Sequence, residues 1–299
     1  MNTKKNEKGG IEMEKYVEKN IRMDIMYDGT AFGGFQRIQG ERMKEKHVAS
    51  SLICAHAKGD KGELNLNSKN KSVQGYLEWV LSHYMQEEIR VIGSGRTDKG
   101  VHAIRQVVNF YTHNTVDLER AKEELNYSFN QEIQILDMYE VDRKFHSRYD
   151  AVRKTYQYRI LNEEVPSVFL RKHTFHVPSS LNVNAMREGA KLLVGTHDFK
   201  GFSTFRKDVG STVRTVYEIK IEEVITNRYG RNLKEIIITI EGNGFLYNMV
   251  RILVGTLIEI GEGKRNKESI TDVLSNKQRA FSGPTVYGEG LYLLQVNYK

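Results

Sequence analysis

The segment Gly93-Ser94-Gly95-Arg96-Thr97-Asp98-Lys99-Gly100-Val101-His102-Ala103 constrains this chain more than any other, because it sets three glycines, a guanidinium and a carboxylate between two runs built for strands. Ile89-Arg90-Val91-Ile92 precedes it and Gln106-Val107-Val108-Asn109-Phe110-Tyr111 follows it. Both are rich in β-branched and aromatic side chains, which pack well on a pleated surface, so the segment reads as a strand-loop-strand connection. A phosphate-cradling glycine loop instead ends at a helix N-terminus and needs a Gly-x-Gly-x-x-Gly or Gly-Lys-Ser/Thr spacing. Here the spacing is Gly-x-Gly-x-x-x-x-Gly, without Lys-Ser or Lys-Thr, and that reading is excluded. Asp98 then either caps a backbone amide, the ordinary role of a loop Asp, or is held out for chemistry.

Around this loop the chain alternates strands and helices. Ile21, Met23, Ile25 and Tyr27 follow the period of two of a strand that ends at Asp28-Gly29-Thr30. A helix begins after Ser72, its N-cap, with Val73, Leu77, Val80, Leu81 and Tyr84 on one stripe. Leu118, Ala121 and Leu125 mark a second helix. Further on, Lys154 to Ile160 alternates as a strand, Val183 to Val194 carries a helical stripe ending at Gly195, and Val213 to Val224 and Lys234 to Glu241 read as strands. Gly242-Asn243-Gly244 launches a helix that ends near Gly261-Glu262-Gly263, with Tyr247 and Arg251 one turn apart on it, and Leu291 to Tyr298 is the last strand. His197 and Asp198 shape a helix-to-strand turn. The pattern predicts an α+β fold: two α/β subdomains, residues 21–147 with the Asp98 loop and residues 148–299, with mixed, largely antiparallel sheets flanked by helices and an active-site cleft between them. Residues 1–20, charged and without apolar period, read as a disordered tail. The polar stretch Gly40 to Lys71 exceeds the roughly 15 residues of ordinary loops and reads as an insertion, with Val48, Leu52 and Ala55 able to form a helical turn or two.

Composition narrows the functional classes. Cys54 is the one cysteine, so there is no internal disulfide and no cysteine pair for a zinc site. No run approaches the roughly 20 apolar residues of a membrane span and the N-terminus is Lys/Glu/Asn-rich, which predicts a soluble cytoplasmic protein without a membrane association. A net charge of +7 with 16 Tyr and 12 Phe suits RNA, whose phosphates meet Lys and Arg and whose unstacked bases lie on aromatic rings.

Four segments compete for chemistry: the Asp98 loop, Arg153-Lys154-Thr155-Tyr156, His197-Asp198-Phe199 and the stretch around Arg251. They contain no Ser-His-Asp spacing, metal-ligand cluster or carboxylate pair. What remains is an Asp as nucleophile or base, guanidinium groups to position it, and a tyrosine as stacker or proton acceptor.

In these residues the chain resembles the TruA family of tRNA pseudouridine synthases. The resemblance runs in order through Tyr27-Asp28-Gly29-Thr30 with Gly34-Phe35-Gln36, Ser72-Val73-Gln74, Gly93 to Ala103, Arg153 to Tyr158, His197-Asp198-Phe199, Thr212 to Thr215, Phe245 to Gly255 and Gly290 to Leu293. It implies an isomerase that converts uridine to pseudouridine in the anticodon stem-loop of tRNA, as a homodimer, with no cofactor and no metal. By the same resemblance Asp98 is the nucleophile, Arg251 pairs with it, and Tyr156 stacks on the uracil or takes part in proton transfer. Arg96 helps hold the nucleotide out of its stack, while Thr97 and His102 complete the substrate-binding set. For His102 a structural hydrogen-bonding role is the stronger alternative, and Tyr158 is expected to be an inward, structural aromatic.

Two departures from the family pattern stand out. Phe35 replaces a Trp, a swap that preserves packing, and Thr285-Val286-Tyr287 replaces Thr-Ala-Pro, which is expected to loosen a loop beside the pocket. These and the insertion motivate a rival reading as a paralogue acting on another RNA, such as ribosomal RNA. A non-catalytic RNA-binding protein on the same scaffold is the alternative from another class, and the joint presence of Asp98, Arg96, Tyr156 and Arg251 argues against it.

Overall fold

The computed structural model describes residues 18–37, 71–129, 131–204 and 210–299; the tail up to residue 17 and almost all of the insertion lie outside the described residues. In chain order the elements are β1 (Lys19–Tyr27), α1 (Val73–Met85), β2 (Val91–Gly93), β3 (His102–Thr112), α2 (Leu118–Ser128), β4 (Ile133–Val141), β5 (Ala151–Leu161) and β6 (Phe175–His176). There follow α3 (Val183–Lys191), β7 (Gly195–Asp198), β8 (Val213–Arg228), β9 (Arg231–Gly242), α4 (Met249–Gly261), α5 (Ser269–Asn276) and β10 (Leu291–Tyr298). This is the α+β class expected, with a mixed and largely antiparallel sheet. No helix among the described residues is long and apolar enough to cross a membrane.

The ten strands form one sheet in the order β4-β1-β3-β10-β5-β9-β8-β7, with β2 added on β3 and β6 on β5. Its two parallel contacts are β10 with β3 and β6 with β5. The last strand therefore joins the halves: β10 seats between β3 and β5 and brings the Asp98 loop alongside the strand that carries Tyr156. Along one edge of β3, β2 pairs at the far end (Val91 opposite Phe110) and β10 at the near end (Tyr292 opposite His102). Between these contacts the loop leaves β2, and the Ser94 N–H donates to the Val107 carbonyl at 2.8 Å.

The sheet's two faces differ as alternation requires. Tyr158 and Ile160 of β5 and Ile236, Ile238 and Ile240 of β9 are fully buried, whereas Thr155, Gln157 and Arg159 on the other face of β5 are partly exposed. α4, apolar on nearly all sides (MVRILVGTLIEIG), is a core helix, with Ile252, Leu253, Val254 and Leu257 removed from water entirely. Each such side chain contributes about 1.5–3 kcal/mol of transfer free energy, which fixes the helix and hence the residue it carries toward the pocket, Arg251. α1 starts as read: Ser72 Oγ accepts the Gly75 N–H at 3.0 Å.

Several boundaries differ from the sequence reading for identifiable reasons. β1 opens at Lys19, and Asn20, assigned to the tail, is buried and donates to the Asp142 and Phe145 carbonyls. Lys71, the last residue of the insertion, is buried and ion-paired with Glu132. β4 escaped the reading because its alternation changes phase: the β1–β4 register shifts between Asp24 and Ile25, so Ile133 and Ile135 are buried and then Met138. α5 carries no side-chain cap to announce it. α3 stops at Lys191, and Gly195, at φ +118°, opens β7 instead of closing the helix. His197 and Asp198 accordingly end a short strand, where Asp198 Oδ1 accepts the Lys200 N–H and caps the next turn. The helix expected from Gly244 starts only at Met249, because Asn248 is left-handed (φ +62°) at its N-cap. Tyr247 therefore precedes the helix and is not a turn away from Arg251 on it.

Candidate active site

The Asp98 loop is held at four places. The Tyr27 and Thr97 hydroxyls are 2.8 Å apart, and the Phe35 N–H donates to the Thr97 carbonyl at 2.9 Å. Gln106 Nε2 donates to the Gly95 carbonyl at 3.0 Å, and Lys154 Nζ to the Ser94 carbonyl at 2.5 Å. At the loop's exit the Val101 N–H closes a turn on the Asp98 carbonyl at 3.1 Å, with Gly100 at φ +78°, a conformation glycine adopts without strain. Gly29 is required by close approach, since a Cβ there would lie 2.1 Å from the Val101 carbonyl oxygen. The Tyr27-Asp28-Gly29-Thr30 motif is thus the buttress of the loop. Phe35 is buried against Gly93, as the exchange of aromatic residues predicted.

Asp98 meets Arg251 across 153 residues of chain: Arg251 Nη1 donates to Asp98 Oδ2 at 3.1 Å, with the side chains 18% and 30% exposed for Arg251 and Asp98 respectively. The same Nη1 donates to Asn248 Oδ1 at 3.0 Å, and Nε donates to the Val286 carbonyl at 2.6 Å. A guanidinium can do this because its donors form a rigid planar fork. The Thr285-Val286-Tyr287 segment, expected to be loosened, is instead fastened on both sides of Arg251: Val286 is buried and its N–H donates to the Arg251 carbonyl, while the Tyr287 carbonyl accepts the Tyr158 hydroxyl at 2.7 Å. The segment's main chain is thus held by one main-chain bond and by donors from the Arg251 and Tyr158 side chains.

Tyr156 lies on β5 beside this pair. It is 9% exposed and stands edge-on to Phe245 at 5.2 Å and 87°. Burial raises its phenol well above the ordinary tyrosine range, and the neighbouring Tyr27 and Asp98 add to the shift, so the ring is neutral throughout the physiological range. Tyr158, on the same strand face, is fully buried and structural as read. Arg96 is exposed at the pocket wall with no hydrogen bond or ion pair to any described residue.

These groups line a pocket of about 860 Å³, with walls from both halves of the chain: the 93–98 loop, the 146–149 segment, β5, and the 243–251 stretch. That volume suits a nucleotide. Asp98, Arg96, Thr97, Tyr156 and Arg251 all line it; His102 does not. His102 is buried, donates from Nε2 to the Lys172 carbonyl at 2.9 Å, and accepts the Gly29 N–H at Nδ1, 3.2 Å. Its ring stacks on Tyr292 at 4.6 Å and 17°, which makes it a fastening between β3, β10 and the buttress. Asp28, His102 and His173 bring ligand atoms within 4.8 Å of one another, with both His102 nitrogens engaged by main-chain groups and the two imidazole rings 5.0 Å apart. Burial works to raise the Asp28 carboxyl there, and the adjacent His102 ring and hydrogen bonds from Thr30 outweigh it, holding the group well below the usual carboxylate range.

Sequence reasoning did not foresee Asn248, the Val286 carbonyl or Lys154 at the site. The first two act through a left-handed N-cap and a main-chain oxygen, which leave no mark in residue type. Lys154 had the strand alternation that places it with Tyr156, and that pattern was available.

The profile of the tRNA pseudouridine synthase family matches residues 25–150 and 190–299. A Clostridium tetani protein named tRNA pseudouridine synthase A 2 is 36% identical over 282 residues, covering 94% of this chain and 100% of that protein. A Geobacillus sp. protein named tRNA pseudouridine synthase A is 38% identical over 283 residues, covering 94% and 99%. A Bacillus anthracis protein named tRNA pseudouridine synthase A 2 is 37% identical over 279 residues, covering 93% and 99%. On the extent of these matches, the chain belongs to the TruA family of tRNA pseudouridine synthases.

Proposed function

We propose that this isomerase converts uridine to pseudouridine in the anticodon stem-loop of tRNA, with Asp98 as nucleophile. The observation that carries the reading is the Asp98–Arg251 contact of 3.1 Å at the wall of a pocket that also holds Tyr156. Binding alone does not call for a carboxylate aligned by a half-buried guanidinium fork. The N1–C1′ bond of the uridine breaks, the detached uracil turns within the pocket, and a C5–C1′ bond forms. The proton on C5 is lost and N1 gains one, so the product is an isomer of the substrate and no redox partner is needed. Positioning and exclusion of water dominate such a step, because the released base must not leave.

Arg251 orients Asp98 through a charge-assisted hydrogen bond. Tyr156, held neutral, serves as a ring against which uracil stacks and as a hydrogen-bond donor, since a phenolate base at that position is strongly disfavoured. Arg96, exposed and uncommitted, replaces interactions that the target nucleotide loses on leaving its stack, a cost of a few kcal/mol. The protein works in the cytoplasm, a reading that rests on composition, and as a homodimer, a reading that rests on the family resemblance. The test is an assay of transcribed tRNA with wild type and Asp98→Ala side by side, with positions mapped. Wild type is expected to form pseudouridine in the anticodon stem-loop, while Asp98→Ala folds, binds RNA and forms none. Substantial turnover by Asp98→Ala removes the nucleophile assignment, and product confined to another RNA removes the anticodon assignment.

A further inference from the structure

The wall of the pocket beside the Asp98–Arg251 pair carries a second set of charges. Lys154 reaches from β5 to the opposite half and donates to the Ser94 carbonyl, which uses one of its three N–H donors. Gly95 makes room for it, since a Cβ there would lie 3.0 Å from Nζ. No described carboxylate pairs with Lys154, and the charge that acts on it is another cation, Arg148. Arg148 is exposed, lies 5.8 Å from the centre of the Tyr149 ring, and lines the same pocket. Tyr149 is 74% exposed and open for stacking. Two cations on one wall, neither of them ion-paired among the described residues, form a surface complementary to an anion. Uracil is neutral, and the Asp98 carboxylate is already taken by Arg251. The remaining anion on a polynucleotide is its phosphodiester.

We propose that Lys154 and Arg148 form a phosphate subsite that receives a phosphodiester flanking the target uridine, registering the nucleotide against Asp98 and Tyr156. This rests on the reading of the protein as an RNA-modifying enzyme. Lys154 also binds the Ser94 carbonyl, so the residue that takes the phosphate is one of those that hold the Asp98 loop. The charged and titratable groups that share the pocket wall with Lys154 are Arg96 and Asp98 from the loop, His146, Arg148 and Tyr149 from the 146–149 segment, Tyr156 from β5, Arg214 from β8, and Tyr247 and Arg251 from the 243–251 stretch, while Tyr298 of β10, on which Asp150 acts, lies beside Ser94. Burial and then the charge of Arg148 lower the Lys154 ammonium to about 8. A phosphate favours the protonated form, so affinity is flat below that value and falls as pH rises through it.

The test uses full-length protein carrying Asp98→Ala, so that a transcribed tRNA is bound without turnover. Arg148→Ala and Lys154→Met are each expected to weaken binding and to lower the slope of log affinity against log salt by about 0.7–0.9, the counterion release of one phosphate contact. Lys154→Arg retains the slope. Between pH 7 and 9 the parent is expected to lose roughly tenfold in affinity, a loss that Lys154→Arg abolishes because arginine does not titrate there. Arg148 is a surface residue, so its variant tests the subsite even where Lys154→Met disturbs the loop. An unchanged salt slope in Arg148→Ala and in Lys154→Met overturns the subsite, as does an equal pH dependence in Lys154→Arg. Absence of pseudouridine in RNA treated with wild type instead defeats the functional reading, and the slopes still decide whether the cations meet a phosphate.

Discussion

Replacing Arg251 by methionine removes a group that makes three contacts at once: to Asp98 Oδ2 at 3.1 Å, to Asn248 Oδ1 at 3.0 Å and to the Val286 carbonyl at 2.6 Å. Unit charges at that separation attract by roughly 5 kcal/mol at an effective dielectric of about 20. With side chains 18% and 30% exposed, solvent screens much of this. The part available to align Asp98 is closer to the net worth of a hydrogen bond between charged groups, about 1.5–3 kcal/mol. At about 1.4 kcal/mol per factor of ten, Arg251→Met is expected to lose about 10- to 150-fold in kcat. KM changes little, because Arg251 faces the carboxylate. Arg251→Lys falls between, since a single ammonium cannot serve both the Val286 carbonyl and Asp98. The assay is single-turnover release of tritium from tRNA labelled at uridine C5, with thermal unfolding alongside to separate lost alignment from lost fold. An Arg251→Met enzyme that folds and retains kcat within about threefold of wild type refutes the positioning argument.

Substitutions at two other positions probe the pocket and the buttress of its loop. Tyr156→Phe keeps the ring and is expected to retain activity within about tenfold, in line with the loss of one hydrogen bond, whereas Tyr156→Ala loses the stacking surface and far more activity. If Tyr156→Phe is as inactive as Tyr156→Ala, the hydroxyl has a role in proton transfer that the neutral-ring reading denies. Gly29→Ala forces a methyl to within 2.1 Å of the Val101 carbonyl oxygen and is expected to destabilise the fold by about 1–3 kcal/mol while displacing the Asp98 loop. Thermal melting and turnover should fall together; a variant with wild-type melting and wild-type rate shows that the buttress does not set the loop.

What was legible in the sequence follows from local physics. Period-two alternation located β1 and β5, because strand side chains alternate between a covered and an open face, β8, β9 and β10 were also read as strands, and the Ser72 cap located α1. The glycine spacing around Asp98 already excluded phosphate cradling, and the order of motifs implied the family to which the chain belongs. Elements whose pattern is interrupted by tertiary pairing were not legible: β4 changes phase at a register shift, and α4 starts late because Asn248 turns left-handed to present Oδ1 to Arg251.

The sequence by itself determined which chemistry-bearing groups exist and which strands and helices carry them. Only the tertiary structure decided which of them meet. By seating the C-terminal strand between β3 and β5, the sheet aligns the loop of one half with Tyr156 of the other, and the burial of α4 delivers Arg251 to Asp98. It also removed His102 from the pocket, added Lys154 and Arg148 to its wall, and fastened Val286 to the guanidinium through a main-chain carbonyl. Contacts between residues more than a hundred positions apart depend on strand order and register, which no local pattern of side chains encodes.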